Sequence, residues 1–99
     1  TVQLKNRSGT NLDILAGTQA YLSDNSDGST LTATAPSGGW VIGTTGILIP
    51  LVAGKMATFV CSSSGVYNID ITEAGAKTFY LVVVLPLGNL VISNAITFT

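Results

Sequence analysis

The sequence predicts an all-β protein, an antiparallel β-sandwich of seven to nine short strands without substantial helix. No window of helix length carries apolar residues at i, i+3, i+4 and i+7 without an intervening glycine. Turn signals made of Gly, Pro, Asn and Asp recur about every eight to twelve residues, the spacing typical of a sandwich or barrel. A single domain over residues 1–99 is expected, because common domain sizes are roughly 100–150 residues.

Most predicted strands are short alternating segments between these turns. Asp27-Gly28 favours a hairpin turn. Pro50 lacks a ladder donor, so its strand is expected at a sheet edge or a bulge. The segments are Val2–Lys5, a weak strand or extended crossover at Asn11–Ala16, then Gln19–Ser23, Ser29–Ala35, Trp40–Ile42, Ile47–Val52, Met56–Cys61 and Val66–Thr72.

The last stretch, Lys77–Thr99, predicts a hairpin that spans the domain. Phe79–Leu85 is an unbroken apolar run, and Leu90–Thr99 alternates with one break at Asn94. One face of the first strand is expected to point inward, through Phe79, Leu81, Val83 and Leu85. The opposite face is apolar as well, so the strand is expected to be either central in the fold or covered by a partner. That face gives the predicted protein interface: Tyr80, Val82, Val84, Val91 and Ala95, with Trp40 as a further candidate.

Composition and charge exclude several classes of partner. Apolar residues make up 46% and charged residues 9%, against a usual charged share of about 25%. The net charge is −1, and the four basic residues are dispersed, so neither nucleic acid nor an anionic membrane is an expected partner. The longest apolar run is too short to span a bilayer. Cys61 is the only cysteine, so no intrachain disulfide can form, which favours synthesis in a reducing cytoplasm.

The sequence offers little for catalysis, so no enzyme, cofactor or metal is predicted. There is no histidine, which excludes His-based triads and disfavours transition-metal sites. Cys61 is read as a buried apolar residue, and Glu73 lies in a turn rather than paired with Asp70. Asp24–Ser29 could be a calcium loop, but no late bidentate glutamate follows it, so a solvated hairpin turn is favoured. Trp40 could be a core residue or an exposed anchor for a sugar or a partner, and the core is favoured.

Two resemblances add to these observations. Residues 63–69, SSGVYNI, resemble the tyrosine corner of immunoglobulin-type sandwiches, with Gly65 two before Tyr67. Ile69 stands where a disulfide-bearing domain has cysteine, and Ser63 where an acidic residue is usual. The resemblance implies an Ig-like sandwich in which packing replaces the disulfide.

The second resemblance covers about half the chain. The stretches GTTGILIPLVAGKMATFV and GVYNIDITEAGAKTFYLVVVLPLGNLVISNAITF, which ends in V-x-L-P-x-G-x-L-x-x-S-x-A-x-x-F from Val83 to Phe98, look like small capsid decoration proteins of tailed bacteriophages. The resemblance implies a non-enzymatic virion protein on the capsid exterior, made in the host cytoplasm, which binds the major capsid protein and further copies of itself. The competing hypothesis is a surface or fibre-associated module that binds carbohydrate or a receptor through an exposed Trp40 or Tyr21.

Overall fold

The computed structural model of the protein describes residues 2–5, 8–11, 16–85 and 88–99. This part of the chain contains antiparallel β-strands and no helix, which confirms the predicted fold class. The described residues form ten short strands, whereas seven to nine were expected. They are β1 (Val2–Gln3), β2 (Gly17–Ser23), β3 (Trp40–Ile42), β4 (Ile47–Val52), β5 (Met56–Val60), β6 (Val66–Tyr67), β7 (Ile69–Ile71), β8 (Lys77–Val84), β9 (Leu90–Ile92) and β10 (Ile96–Phe98).

Six of these strands form one large sheet in the order β10-β8-β2-β5-β4, with β9 paired to β8 as well. Strand β2 lies at the centre, because Ala20 is opposite Val83 on one side and Ala57 on the other. All three side chains are buried. Since side chains alternate across a strand, this register fixes a core face and an opposite face for the whole sheet.

The core face packs against two small ladders, β1-β6 and β3-β7. Phe59 from the large sheet stacks on the Tyr67 ring with centroids 5.1 Å apart. It also meets the Trp40 ring edge-on at 5.2 Å. Phe59 and Tyr67 are fully buried, so three aromatic rings join the large sheet to the smaller ladders. This arrangement is compatible with a β-sandwich.

The hydroxyl of Tyr67 does not bond as in a tyrosine corner. There the hydroxyl bonds to backbone a few residues upstream. Here it shares a buried 3.0 Å hydrogen bond with the Thr18 hydroxyl on β2. Burial raises the pKa of Tyr67 above its ordinary value. A pair of buried hydroxyls therefore links the two layers at this position.

Two predicted strands are corrected and one falls outside the described residues. Ser29–Ala35 contains no strand; its backbone turns back so that the Thr32 N–H donates to the Leu22 carbonyl at 2.8 Å. Val66–Thr72 is divided at Asn68 into β6 and β7. Of Asn11–Ala16, residues 12–15 lie outside the described part of the chain, and Asn11 forms an isolated bridge with Lys5.

The predicted closing strand, Leu90–Thr99, is two strands that pair with β8 in different registers. Val82 is opposite Ile92, whereas Phe79 is opposite Ile96. Three residues, 93–95, therefore lie opposite two, 80 and 81, which is the geometry of a β-bulge. The extra residue inverts the two faces between β9 and β10. The break in alternation at Asn94 marks this bulge.

Candidate docking surface

The face of the large sheet that points away from the core is termed here the outer face. Its side chains are mostly apolar, and Lys77 is the only charged residue in the six described strands of this sheet. By register the outer face comprises Gly17, Gln19, Tyr21, Ser23, Ile47, Ile49, Val52, Met56, Thr58, Val60, Thr78, Tyr80, Val82, Val84, Leu90, Ile92 and Thr97.

One half of the outer face, around Val82, is covered by the loop of residues 24–35. Gly28 lies so close to the sheet that a Cβ on it would stand 3.1 Å from Val82 Cγ2 and 3.3 Å from Ile92 Cδ1. Its φ of +69° also favours glycine. The Tyr21 hydroxyl donates a 2.6 Å hydrogen bond to the Gly28 carbonyl. Val82 is 0% exposed as a result.

The loop is closed by its own polar side chains. The Asp24 carboxylate accepts hydrogen bonds from the Thr32 hydroxyl at 2.6 Å and from the Ala33 N–H at 3.1 Å. The Thr32 bond is the main cause that lowers the pKa of Asp24 below its ordinary value. Lys55 donates to the Ala33 carbonyl at 3.1 Å, which ties the loop to the β4–β5 turn.

The same contacts account for the acids that suggested a calcium loop. Asp27 accepts a 3.0 Å bond from the Ser29 N–H, and Asp24 is directed at Thr32. Across the described ranges, no three His, Cys, Asp or Glu side chains are grouped so that they could hold a metal ion. These carboxylates stabilise the turn by accepting hydrogen bonds from within the loop.

The remaining nucleophile and acid candidates are also held in structural contacts. Cys61 is 2% exposed, and its Sγ accepts a 3.2 Å bond from the Ala16 N–H. Glu73 accepts from the Gly75 N–H at 2.8 Å and from the Ser37 N–H at 3.1 Å. The Gly75 bond is the largest cause that lowers the pKa of Glu73. Both groups therefore accept hydrogen bonds from backbone N–H groups, and the bonds from Ala16 and Ser37 join distant parts of the chain.

The other half of the outer face is not covered by any described residue and is termed here the open half. It comprises Gly17, Gln19, Ile47, Ile49, Thr58, Val60, Val84 and Leu90. The three largest exposed side chains on it are Ile47 at 58%, Ile49 at 50% and Leu90 at 45%. A groove of about 330 Å³ opens beside them, lined by Gly17, Thr18, Gln19, Val84, Leu85 and Gly88.

Strand β4 forms one border of the open half and of the sheet. Its sequence, ILIPLV, contains no polar side chain, and five of its six residues are exposed. The ladder with β5 is irregular between Pro50 and Val52. The prediction that Pro50 marks an edge or a bulge is confirmed on both counts. A long, apolar and exposed edge strand is unusual in a monomer, because such edges pair with other chains.

The structure separates the predicted interface residues. Val84 lies on the open half, and Tyr80 is half-buried at the covered end of the same face. Ala95 is exposed within the bulge. Val91 is 52% exposed, but it is opposite Val83 on the core-face side. The prediction that Val91 lies beside Val82 is therefore wrong by one residue of register, because the bulge inverts the faces.

Two predicted interface residues have almost no surface to offer. Val82 is buried beneath Gly28. Trp40 is 6% exposed and packs on Phe59; its indole nitrogen has no hydrogen-bond partner among the described residues. Neither therefore has surface for the predicted interface: Val82 is covered on the outer face by the loop, and Trp40 lies in the core, the position favoured for it over an exposed anchor. Trp40 is therefore too buried to stack on a sugar ring, whereas Tyr21 is half-buried and its hydroxyl donates to the Gly28 carbonyl.

The residues that the sequence analysis missed are Ile47, Ile49 and Leu90. An uncharged strand containing a proline was already recognised as an edge, and that signal could have placed Ile47 and Ile49 at the surface. Because Val91 was predicted on the outward face, alternation placed its neighbour Leu90 on the inward face, and the bulge at residues 93–95 reversed this.

Comparisons with known proteins assign no family and no function to this chain. The chain matches no family model, no curated protein and no solved structure. In the part of the chain that is described, no helix has the length and apolar character required to cross a membrane.

Proposed function

We propose that this chain is a non-enzymatic structural protein of a virion, a decoration protein that binds the outer surface of a bacteriophage capsid and stabilises it. The observation that carries the proposal is the open half, an exposed apolar surface without a charged side chain. The resemblance of Val83–Phe98 to phage decoration proteins supplies the class of partner, the major capsid protein. Further copies of the chain are a second partner.

The physical basis is the low cost of burying such a surface. Apolar area contributes about 25 cal/mol per Å² when it is removed from water. Buried charges must be desolvated first, and their attraction often fails to offset that cost. The open half avoids this cost. Binding to the assembled shell alone then stabilises the shell by mass action, in proportion to RT ln(1 + [L]/Kd).

The test is cosedimentation with bacteriophage heads that lack their own decoration protein, drawn from several phages. The variant Gln19→Lys/Leu90→Lys places two charges on the open half at exposed positions that share one row of the sheet. Its binding is expected to fall at least about tenfold, since each desolvated charge costs more than about 1.4 kcal/mol. Val41→Lys, which alters a 59% exposed residue of β3, is the matched control.

Two results would contradict the proposal. If the wild-type protein sediments with none of the heads, the capsid is not its partner. If the double variant binds as tightly as Val41→Lys, the open half is not the docking surface.

A further inference from the structure

The two borders of the large sheet differ in how they end. On one side, β9 and β10 are three residues each and are separated by the bulge at residues 93–95. On the other side, β4 runs for six residues, about 20 Å at the usual rise per residue. No described strand pairs with its free edge. Short edge strands and bulges hinder pairing with other chains, so only the β4 border is suited to it.

The backbone of β4 indicates which residues are available for pairing. Pro50 is opposite Ala57 within the ladder, and a proline in that place must turn its nitrogen away from β5 because it cannot donate. Backbone groups alternate along an antiparallel ladder. Leu48, two residues earlier, therefore presents its N–H and C=O at the free edge. Beyond Pro50 the ladder is irregular, so regular pairing is confined to the Ile47–Ile49 end.

We infer that β4 pairs antiparallel with β4 of a second copy of this chain, about a two-fold axis through Leu48. The sequence around that residue, Ile47-Leu48-Ile49, reads the same in both directions. In this register Leu48 meets its own copy, and the two exchange N–H···O=C bonds. Ile47 of one copy lies opposite Ile49 of the other, so four isoleucines join in one patch of the outer face. Gly46, without a side chain, lies opposite Pro50.

A second copy fits this edge better than an unrelated partner. A two-fold contact requires a patch that is complementary to itself, and the palindromic strand provides this. Cross-strand pairs of β-branched side chains stabilise an antiparallel sheet. The strand has no charge, so two copies meet without repulsion and without desolvating an ion.

The size of the edge sets the expected strength. A standard interface buries about 800 Å² per partner, roughly one seventh of the 5608 Å² surface of the chain. An edge of about 20 Å on a sheet about 10 Å thick offers less than that. A concentration-dependent dimer with Kd in roughly the micromolar range or weaker is therefore expected. The pairing gives a structural basis to the second partner of the proposed function, further copies of the chain, but it requires no capsid and can be tested without one.

The test is sedimentation equilibrium of the purified protein from roughly 1 μM to 1 mM, with two matched double variants. Both alter the same exposed positions, so the folded monomer is retained, which far-UV circular dichroism checks. Ile47→Lys/Ile49→Lys places lysine opposite lysine across the axis and should weaken the dimer at least about tenfold. Ile47→Lys/Ile49→Glu places lysine opposite glutamate twice and should restore it.

Amide exchange measured by NMR gives an independent reading. The Leu48 amide is expected to exchange rapidly in dilute solution and to become protected as concentration rises. The inference is overturned if the wild-type protein is a monomer throughout the range, or if both double variants weaken association equally. Association without protection of Leu48 would also overturn it, because it would indicate stacking of open halves. Val41→Lys should leave association unchanged.

Discussion

The outer face of the large sheet has two halves that look alike in sequence and differ in structure. Around Val82 the apolar side chains are covered by residues 24–35, a polar loop held by Asp24. Around Ile49 and Leu90 no described residue covers them. Alternation along the strands predicts that both halves are apolar, but it does not predict which half the chain covers itself. A loop rich in Ser, Thr and Asp, which contains no strand, makes that difference.

The strongest test of this contrast is Gly28→Ala. The added Cβ would press on Val82 at 3.1 Å from a left-handed backbone position, so both overpacking and backbone strain should destabilise the fold. We expect a loss of about 2–4 kcal/mol in the free energy of unfolding, measured with denaturant. Gly88→Ala is the matched control, because its φ is +89° and no atom of the described residues lies within 4 Å of the added Cβ. It should cost about 1–2 kcal/mol; equal losses would show that Gly28 does not seat the loop.

The second test compares side chains from the two halves. Val82→Ala should cost about 2 kcal/mol, because the side chain is fully buried and the space left behind is closed on both sides. Leu90→Ala on the open half should stay within about 0.5 kcal/mol of the wild type. Thermal or denaturant unfolding measures both. A loss at Leu90 as large as that at Val82 would mean that the open half is covered within the monomer.

The third test removes the charged carboxylate of Asp24, whose hydrogen bonds hold the covering loop closed. Asp24→Asn weakens the bonds from Thr32 and Ala33 and should cost roughly 0.5–1 kcal/mol, since the carboxylate is exposed. The pKa of Asp24 is lowered in the folded state. Its contribution is therefore complete above the ordinary aspartate pKa of about 4 and is lost as pH falls through the lower folded value.

Unfolding of the wild type and of Asp24→Asn at pH 6 and at pH 2, each about two units from the ordinary aspartate pKa, isolates the contribution of the Asp24 charge. The two proteins should differ at the higher pH and converge at the lower one. A difference that persists unchanged in acid would show that the Asp24 carboxylate does not close the loop through its charge.

The smallest effect is expected for Ile49→Ser. The side chain is 50% exposed at the sheet border, and surface substitutions of this kind change stability by about 0.5 kcal/mol or less. Its self-association should nevertheless weaken, because the serine removes apolar contact across the proposed axis. Static light scattering at high concentration reports this, with Thr99→Ser at the chain end as a control. A destabilised monomer with unaltered association would reverse the interpretation of the strand.

The sequence predicted much of the fold because alternation and turn chemistry are local signals. Pro50 correctly indicated both the sheet edge and the irregular ladder. Ser29–Ala35 was predicted as a strand from alternation of Thr with apolar residues, yet its backbone bonds to Leu22 and its side chains to Asp24. Side-chain hydrogen bonds of this kind compete with ladder bonds, and apolar alternation alone does not indicate which of the two the backbone adopts.

The candidate surface was less predictable, because one residue of register decides which side chains face outward. Val91 and Leu90 exchanged faces through a single bulge, whose only mark in the sequence is the break at Asn94. The burial of Val82 depends on Gly28, which is 54 positions away along the chain. An apolar face was correctly expected, whereas its extent required the three-dimensional arrangement.

The irregular border formed by β9 and β10 has a consequence for assembly. A subunit with one sheet edge that can pair with other copies forms only closed dimers. A subunit with two such edges can add copies without limit and grow into fibres. The extra residue of the bulge near Asn94 divides the second edge of the sheet into two short strands that pair with β8 in different registers. Deleting Asn94 would join β9 and β10 into one straight ribbon, and the expected product is a polymer instead of a dimer.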